Sequence, residues 1–243
     1  LKKLIQAQIV ILKLPPYNNG HISNIFDLCY ERAALDVSQA EGAIVCADRF
    51  ETLPAAMAFA YAGLPLIHLQ GGDITGSIDN KVRFAVTQLA DYHFPYSYES
   101  ALELRSRGEP EDRIFFLGDP AKEYVLSLGK GHAPQKRPYI ISMLHPDTIS
   151  PINHMQLSNY FGAIVKYSKR NDYSVFHFMP NKDPGGINIE TFIKQHQFKY
   201  FDGIYENLPP HDFINLLYHA KMIVGNSSAG IREAAVTVTK AIN

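Results

Sequence analysis

Short apolar runs alternate with helical segments along the chain from about residue 43 onward. In the first half, this pattern predicts strands and helices in turn, beginning with a strand, at residues 43–46, 51–62, 65–69, 79–90, 92–95, 98–107 and 114–117. Helical segments that separate short apolar strands are typical of a parallel sheet covered on both faces. We therefore predict an α/β fold for this half of the chain.

The composition changes at residues 129–138, GKGHAPQKRP, which are rich in Gly, Pro and Lys and lack apolar periodicity. We interpret this stretch as a domain linker. Beyond it the pattern predicts strands at 139–143, 174–179 and 222–224, and helices at 153–169, 187–196 and 210–219. The chain is thus predicted to form two Rossmann-like domains, residues 1–130 and 136–243, with strand-end loops facing a common cleft. No glycine-rich turn follows the strand-like run 9–14, and we expect further segments at both ends.

Composition and charge narrow the class of protein. The 243 residues are 46% hydrophobic with a net charge of −1, which suits two modest globular domains and provides no basic surface for nucleic acid. Gly63 and Pro65 interrupt the most apolar stretch, so no segment reaches the roughly 18 to 20 apolar residues of a membrane span. Cys29 and Cys46 have no metal-type spacing and are expected to be small buried side chains. We expect a cytoplasmic protein that binds neither nucleic acid nor membrane.

The segment VGNSSAGIRE, residues 224–233, is the most informative about function. An apolar run ends at Gly225, and small polar residues follow where a helix is predicted to begin. Glycine lets a ligand approach the backbone, and the N–H groups and hydroxyls of a first helical turn bind phosphate. A glutamate about two turns into that helix would reach a ribose diol, so we expect a nucleoside diphosphate. An ordinary Asn/Ser helix cap would produce the same pattern. The predicted binding residues are Asn226, Ser227, Ser228, Gly230 and Glu233.

A second polar cluster follows two predicted strands, in the segments ADRFE and HLQGGDITGSIDNKVR. Because adjacent parallel strands lie about 5 Å apart, the loops after them should bring Asp48, Asp73 and Asp79 into one site. Carboxylates held together repel one another, which raises at least one pKa and provides an acid and a base for proton transfer. Further candidate residues in these segments are Arg49, His68, Gln70 and Arg83.

Structural roles compete with these assignments. Asp79 opens a predicted helix and would serve as its N-cap. Asp48 and the adjacent Arg49 would form a surface ion pair. His68, directly after an apolar strand, would be a hydrogen-bonded core histidine.

Two loops follow predicted strands of the second half, HPDT at His145 and PNKD at residues 180–183. His145 is a candidate donor to an anionic leaving group, and Asn181 and Asp183 are candidates for binding hydroxyl groups. The Pro, Asn and Gly content of the second loop is explained equally well by turn formation. Phe213 is a candidate neighbour of a base ring, although a core aromatic is the alternative interpretation.

Taken together, ADRFE, HLQGGDITGSID with Arg83, HPDT, PNKD and GNSSAGIRE resemble the hydrolysing UDP-N-acetylglucosamine 2-epimerases of sialic acid and related nonulosonate biosynthesis. The resemblance implies a two-domain fold of the glycosyltransferase-B type. It also implies a reaction without an external redox cofactor or metal. A base removes the C2 proton, UDP leaves to give a glycal, and water adds to give free N-acetylmannosamine.

The resemblance also assigns residues and substrates. By position, proton transfer falls to Asp48 and Asp79, UDP binding to Ser227, Ser228 and Glu233, and the diphosphate site to His145. The implied substrate is UDP-GlcNAc or a UDP-2,4-diacetamido-2,4,6-trideoxyhexose. The implied assembly is a homodimer or homotetramer.

The chain departs from the family pattern at several positions. Gln70 stands where many members have a glutamate that is assigned to proton transfer, and an amide cannot act as a base. Some members also have Gln there together with an acidic residue three positions on, which Asp73 would supply in this chain. Phe84 and Gln88 replace a histidine and a lysine, and Ala47 replaces the glycine before the first aspartate. One alternative is therefore a nucleotide-sugar-binding protein without activity. Another is a non-hydrolysing epimerase or a glycosyltransferase of the same fold.

Overall fold

The computed structural model describes residues 27–243 apart from residues 28, 32, 35–36, 50, 77, 148–149 and 182–184. The chain divides into two compact units, Leu1–Asp119 and Pro120–Asn243. Within the described residues, each unit is built on one parallel sheet with helices. The strand-like run predicted at residues 9–14 lies outside the described part of the chain.

The first unit holds a three-stranded parallel sheet in its described residues. Its strands are β1 (Ala43–Cys46), β2 (Leu66–Leu69) and β3 (Tyr92–Phe94), and its helices are α1 (Thr52–Tyr61), α2 (Ile78–Leu89) and α3 (Tyr98–Ser106). The strands lie in the order β1-β2-β3, with Val45, His68 and His93 side by side. Because parallel strands require a crossover after each strand, the loops that follow β1 and β2 lie next to each other.

The core of this unit forms where α1 and α2 pack on the sheet. Ala56, Phe59, Leu66 and Val86 are buried together, and full burial of each large apolar side chain contributes about 1.5–3 kcal/mol. Cys29 is buried as predicted, whereas Cys46 is exposed, which contradicts the prediction for that residue. The reason is the alternation of side chains along β1, in which Val45 alone is buried.

The second unit holds a five-stranded parallel sheet. Its strands are β4 (Tyr139–Met143), β5 (Ser174–Phe178), β6 (Gly203–Tyr205), β7 (Met222–Gly225) and β8 (Ala241–Ile242). Its helices are α4 (Pro120–Leu128), α5 (His154–Asn171), α6 (Gly186–Tyr200), α7 (Pro210–His219) and α8 (Glu233–Thr237). The strand order is β6-β5-β4-β7-β8, so the chain reverses its direction across the sheet between β4 and β7. Ligands of open α/β sheets bind at such a switch point, outside the carboxyl ends of the strands.

Helices pack on both faces of this sheet, which explains why β4 is mostly apolar and almost entirely buried. One core cluster joins Ile141 and Ile223 of the sheet to Leu217 of α7. The other joins Phe161 of α5 to Ile193 of α6. A capping box at Asn153 and Gln156 fixes the start of α5.

The structure differs from the predicted elements at several positions. Residues 114–117 form no strand, and Ile114 makes a single parallel bridge to His93. Helix α4 was not predicted, and it packs against α7 and α8, so the second unit begins ahead of the linker predicted at residues 129–138. Strands β6 and β8 were also missed, because elements of three and two residues are too short to show a periodicity.

The end of β7 lies unusually close to the end of β4. Gly225 has φ +137°, and a Cβ added there would lie 1.8 Å from the carbonyl oxygen of Met143. Only glycine allows this approach. The switch point therefore depends on the absence of a side chain at this position.

We predict opposite effects for two Gly→Ala substitutions in the second unit. Gly225→Ala should lower the free energy of unfolding by about 3 kcal/mol or more, because the backbone at Met143 must move. Gly162→Ala should raise it by about 0.5–1 kcal/mol, since Gly162 lies within α5 and the added Cβ meets nothing within 4 Å. Chemical denaturation of both variants measures the two effects. A Gly225→Ala variant as stable as the wild type would contradict the close approach.

Candidate active site

Three loops at the switch point are joined by side-chain to backbone hydrogen bonds. The Asn226 side chain accepts from the His145 N–H at 2.7 Å and donates to the His145 carbonyl at 3.0 Å. The His145 ring in turn accepts the Asn181 N–H at Nδ1, at 3.1 Å. A neutral imidazole that accepts at Nδ1 carries its proton on Nε2, so this nitrogen is a donor. Asn226 and Asn181 thereby orient His145 for the donor role that the sequence suggested.

The segment after β7 differs from the predicted helix start. Ser227 is buried, and its hydroxyl accepts the Ala229 N–H at 3.3 Å, which begins a 3-10 turn at Ser228–Gly230. The α-helix itself begins only at Glu233. The prediction of a continuous helix from Ser227 is therefore wrong, because the first N–H groups are bonded at the shorter 3-10 spacing. Ser228 is exposed, so its hydroxyl is the accessible one of the serine pair.

Phe213 and Glu233 line one cavity of about 260 Å³ in the second unit. The Phe213 ring packs edge to face on Phe178, with ring centroids 5.4 Å apart. The remaining lining is mostly apolar and comes from Ala121, Tyr124, Val125, Met143, Leu208, Pro210 and Ile214, with Asn207. A mostly apolar cavity with one carboxylate suits a ligand in which a flat ring is joined to a group that carries hydroxyls.

In the first unit, β1 and β2 end in the same backbone conformation. Ala47 and Gln70 follow the two strands with φ +60° and +62°. This left-handed region favours glycine, which explains the glycine that Ala47 replaces in the family pattern. The turn at Ala47 points the chain away from the sheet directly before Asp48.

His68 stabilises that turn from inside the core. Its side chain is fully buried, with Nε2 3.0 Å from the Ala47 carbonyl and Nδ1 3.2 Å from the Thr87 hydroxyl. A carbonyl can only accept, so Nε2 donates to it and Nδ1 accepts from Thr87. Burial lowers the pKa of His68 to about 4. With both ring nitrogens bonded, His68 positions the loop, and the core-histidine alternative describes it better than substrate binding.

Arg83 is buried, and it links the two loops. Its guanidinium donates to the Asp48 carboxylate, to the Asp73 carbonyl and to the Asn80 side chain. Asp48 thus pairs with Arg83, and not with the adjacent Arg49 of the surface alternative. Burial raises the pKa of Asp48; Arg83 opposes the shift, and the negative charges of Asp79 and Asp73 add to it. The result is a carboxyl group that holds its proton more tightly than usual.

Gln70 and Asp73 form a second part of this cluster. The Gln70 amide donates to one Asp73 carboxylate oxygen at 3.1 Å, and the Ser100 hydroxyl donates to the other. Gly72 makes this possible, since a Cβ there would lie 2.2 Å from the Ser100 carbonyl oxygen. No sequence pattern indicates Ser100, because it lies 27 residues from Asp73. Asp79, half-buried near the start of α2, completes the group of carboxylates.

Other candidate and substituted positions have different surroundings. Arg49 is exposed and forms a bidentate pair with Glu51, with both N–O distances 3.2 Å. The Arg107 guanidinium lies over the Phe84 ring, with its Cζ 3.3 Å from the ring centroid. The Gln88 amide donates to Glu109, which also bonds to buried His93. Packing therefore accounts for both substituted residues. Asp183 lies outside the described residues, so its assignment stays a prediction.

The family model for UDP-N-acetylglucosamine 2-epimerases matches residues 29–243 of the chain. Over 202 residues, the chain is 28% identical to a UDP-N,N'-diacetylbacillosamine 2-epimerase (hydrolyzing) of Legionella pneumophila, covering 79% of this chain and 52% of that protein. It is 29% identical to a UDP-N-acetylglucosamine 2-epimerase of Neisseria meningitidis, covering 77% of this chain and 51% of that protein. The chain thus spans about half the length of these relatives.

Solved structures with the same fold include the Neisseria meningitidis UDP-GlcNAc 2-epimerase bound to UDP-GlcNAc. That structure superposes with a TM-score of 0.77 at 15% identity, over 93% of this chain and 66% of the other. The Methanocaldococcus jannaschii UDP-GlcNAc 2-epimerase in complex with UDP-GlcNAc and UDP superposes with a TM-score of 0.76 at 16% identity. The match covers 92% of this chain and 66% of the other.

These structures confirm the predicted fold class, an α/β fold of the glycosyltransferase-B type with parallel sheets. The chain belongs to the UDP-N-acetylglucosamine 2-epimerase family. The cleft between the two domains stays a prediction. Judged by length and hydropathy, none of the helices in the described residues is suited to spanning a bilayer.

The buried state of His68 predicts a specific pH dependence of stability. Its pKa falls from 6.5 to about 4 on folding, so the unfolded chain takes up a proton that the folded chain does not. Stability is therefore lost as the pH falls from 6.5 toward 4. The wild type loses free energy of unfolding between pH 7 and pH 5, and His68→Gln should make this loss about 2 kcal/mol smaller.

Chemical denaturation at the two pH values measures this difference. His132→Gln, at an exposed histidine of the second unit, is the matched control and should keep the wild-type pH dependence. If His68→Gln and His132→Gln lost the same stability on acidification, His68 would not be held neutral in the folded protein.

Proposed function

We propose that the protein is a hydrolysing 2-epimerase of UDP-activated N-acetylated sugars. The observation that carries this proposal is the cluster of Asp48, Asp73 and Asp79 around buried Arg83. A carboxyl group with a raised pKa beside other carboxylates has the properties of a paired acid and base. Family membership and the hydrolysing relative from Legionella pneumophila support the same reaction.

The proposed reaction converts UDP-GlcNAc and water into UDP and N-acetylmannosamine. A carboxylate takes the C2 proton, and the electron pair of the C–H bond forms a C1–C2 double bond as the C1–O bond to UDP breaks. Water then adds its hydroxyl group to C1, and a proton returns to C2 from the opposite face. Only protons and water are exchanged in these steps, so carboxyl groups can carry them without a redox cofactor.

We assign the proton transfers to the carboxylates of the first unit. Asp79 is the proposed base, and Asp48 is the proposed acid because its raised pKa keeps a proton available closer to neutral pH. Gln70 has no titratable group, and we propose that it orients Asp73 through its amide. The substrate acted on is UDP-GlcNAc or a UDP-2,4-diacetamido-2,4,6-trideoxyhexose.

UDP binding is assigned to the second unit. The exposed Ser228 hydroxyl and the Nε2–H of His145 are proposed to donate to the diphosphate, which stabilises the charge of the leaving group. The cavity at Phe213 and Glu233 is proposed to hold the nucleoside, with the carboxylate accepting from the ribose diol. We also propose a cytoplasmic homodimer or homotetramer, following the family resemblance.

Two other functions remain in competition. A non-hydrolysing epimerase or a glycosyltransferase would use the same fold, but the GGDITGSID loop resembles the hydrolysing members. A binding protein without activity is suggested by Gln70, Phe84 and Gln88. The packing of Phe84 on Arg107 and the bond from Gln88 to Glu109 give these two residues structural roles, which weakens that alternative.

The first experiment incubates the full-length protein with UDP-GlcNAc in D2O and follows the products by proton NMR. We expect free UDP and N-acetylmannosamine that carries deuterium at C2, because the C2 proton is exchanged during elimination and hydration. UDP-ManNAc without UDP release would instead indicate the non-hydrolysing reaction. Absence of turnover with both UDP-GlcNAc and the diacetamido substrate, in a protein that binds UDP, would favour the binding-only alternative.

The carboxylate assignment predicts the effect of two further substitutions. Asp48→Asn and Asp79→Asn should each lower turnover at least about 100-fold, because an amide cannot exchange the proton, while UDP affinity stays nearly unchanged. Steady-state kinetics and calorimetric titration with UDP measure the two quantities. Asp112→Asn, at an exposed aspartate in the 3-10 turn Glu111–Arg113, is the control and should behave as wild type. Near-normal turnover in either variant removes that aspartate from the mechanism.

A further inference from the structure

A network of hydrogen-bonded polar side chains lies beneath the switch point of the second unit, in which Ser142 and His177 are buried and Tyr160 is partly buried. Ser142 of β4 is flanked in the sheet by His177 of β5 and Val224 of β7. The His177 Nδ1 lies 2.9 Å from the Ser142 hydroxyl, which lies 3.2 Å from the Tyr160 hydroxyl of α5. Tyr160 then reaches the Val224 carbonyl at 3.0 Å. The hydrogen-bonded network thus runs from the middle of the sheet to Val224, the last residue before Gly225.

The direction of these hydrogen bonds follows from the acceptor at their end. A carbonyl oxygen only accepts, so the single Tyr160 proton goes to Val224. The Ser142 proton must then go to Tyr160, and His177 must donate to Ser142 from Nδ1. Every bond therefore points toward β7, and bonds aligned in this way strengthen one another.

His177 and Tyr160 each have one protonation state near neutral pH. Burial, with a smaller effect of nearby His145, lowers the pKa of His177 to about 3, so the ring is neutral. Burial also raises the pKa of Tyr160 to about 12, so its hydroxyl keeps its proton. The bond from Tyr160 to Val224 is consequently a constant feature of the folded protein near neutral pH.

The position of this bond relates it to the proposed UDP site. Val224 is followed by Gly225 and by Asn226, which clamps His145, and then by the turn that exposes Ser228. A Cβ at Gly225 would lie only 3.1 Å from the Tyr160 hydroxyl, so α5 and the end of β7 are in direct contact here. Any shift of Val224 is passed along the backbone to the groups proposed to bind diphosphate.

We propose that Tyr160 is a positioning residue for nucleotide binding, which holds the end of β7 so that the turn at Ser228 and the His145 clamp meet the diphosphate. The inference rests on the proposed function of this turn. Tyr160 acts through Val224 and does not touch the nucleotide. Its loss should weaken binding while leaving the carboxylate chemistry of the first unit unchanged.

The test compares Tyr160→Phe with two matched variants by calorimetric titration with UDP. Tyr139→Phe removes an equivalent bond, from a buried tyrosine hydroxyl to the Leu216 carbonyl of α7 at 2.7 Å, and leaves the bond to the end of β7 in place. Ser142→Ala removes the hydrogen bonds of the Ser142 hydroxyl to His177 and Tyr160 but keeps the bond from Tyr160 to Val224. We expect Tyr160→Phe to weaken UDP binding about 5- to 10-fold, the effect of one hydrogen bond, and both controls to stay within about twofold of wild type.

Two further measurements separate positioning from general loss of structure. Hydrogen exchange should accelerate at the amides of residues 226–229 in Tyr160→Phe but not in Tyr139→Phe. The kcat/KM for the UDP-sugar should fall in Tyr160→Phe by at least the factor by which UDP affinity falls, since the same groups bind the diphosphate and stabilise the leaving group, and it should stay near wild type in Tyr139→Phe. Equal UDP affinity in Tyr160→Phe and wild type would overturn this inference but not the proposed function. Equal losses of UDP affinity in all three variants would do the same. Failure of the wild type to bind UDP would overturn the proposed function and this inference together.

Discussion

The parallel pairing of strands is the constraint on which both candidate sites depend. It places the carboxyl ends of neighbouring strands at one edge of each sheet, where the chain must leave the ladder and its polar groups need new partners. In the second unit, Asn226 provides these partners for the backbone of His145, and Gly225 permits the strands to approach. In the first unit, His68 does so for the turn at Ala47. Polar residues that stabilise the strand ends are thus also those that shape the sites.

A buried positive charge organises the first unit. Arg83 is almost inaccessible to solvent, with 2% of its side chain exposed, so its desolvation must be offset by partners of opposite charge or by carbonyl oxygens. Asp48 and the Asp73 carbonyl meet this need, and both belong to the loops after β1 and β2. The same burial that requires the pair raises the pKa of Asp48. Structural necessity and acid–base chemistry therefore have one physical origin in this cluster.

The departures from the family pattern have local physical explanations. Ala47 occupies a left-handed conformation that costs roughly 1–2 kcal/mol for a residue with a Cβ, and the bond from His68 to its carbonyl helps to hold it there. Phe84 forms a cation–π contact with Arg107. Gln70, which cannot be a base, donates to Asp73 and keeps a carboxylate in this part of the site. The substitutions are therefore compatible with an intact polar cluster.

The local elements of this protein follow from its amino-acid sequence. Hydrophobic periodicity predicted β1, β4, α7 and most other elements to within a few residues, because periodicity records which side of an element is buried. The motifs also identified the strand-end loops that carry candidate chemistry. Periodicity failed for α4, for the short strands and for the 3-10 turn at Ser228, where hydrogen bonding between neighbours decides the structure.

Which polar residues meet depends on the tertiary fold. Asp48 pairs with Arg83 across 35 residues, Asn226 clamps His145 across 81, and Tyr160 reaches Val224 across 64. Such pairs depend on strand order and register, which local sequence does not encode. The same applies to His68 and Ser227, whose sequence positions suited ligand binding equally well. Their burial, set by the packing of α2 on β2 and by the 3-10 turn, brings their polar atoms to the backbone and to Thr87, and their binding of a ligand stays a prediction.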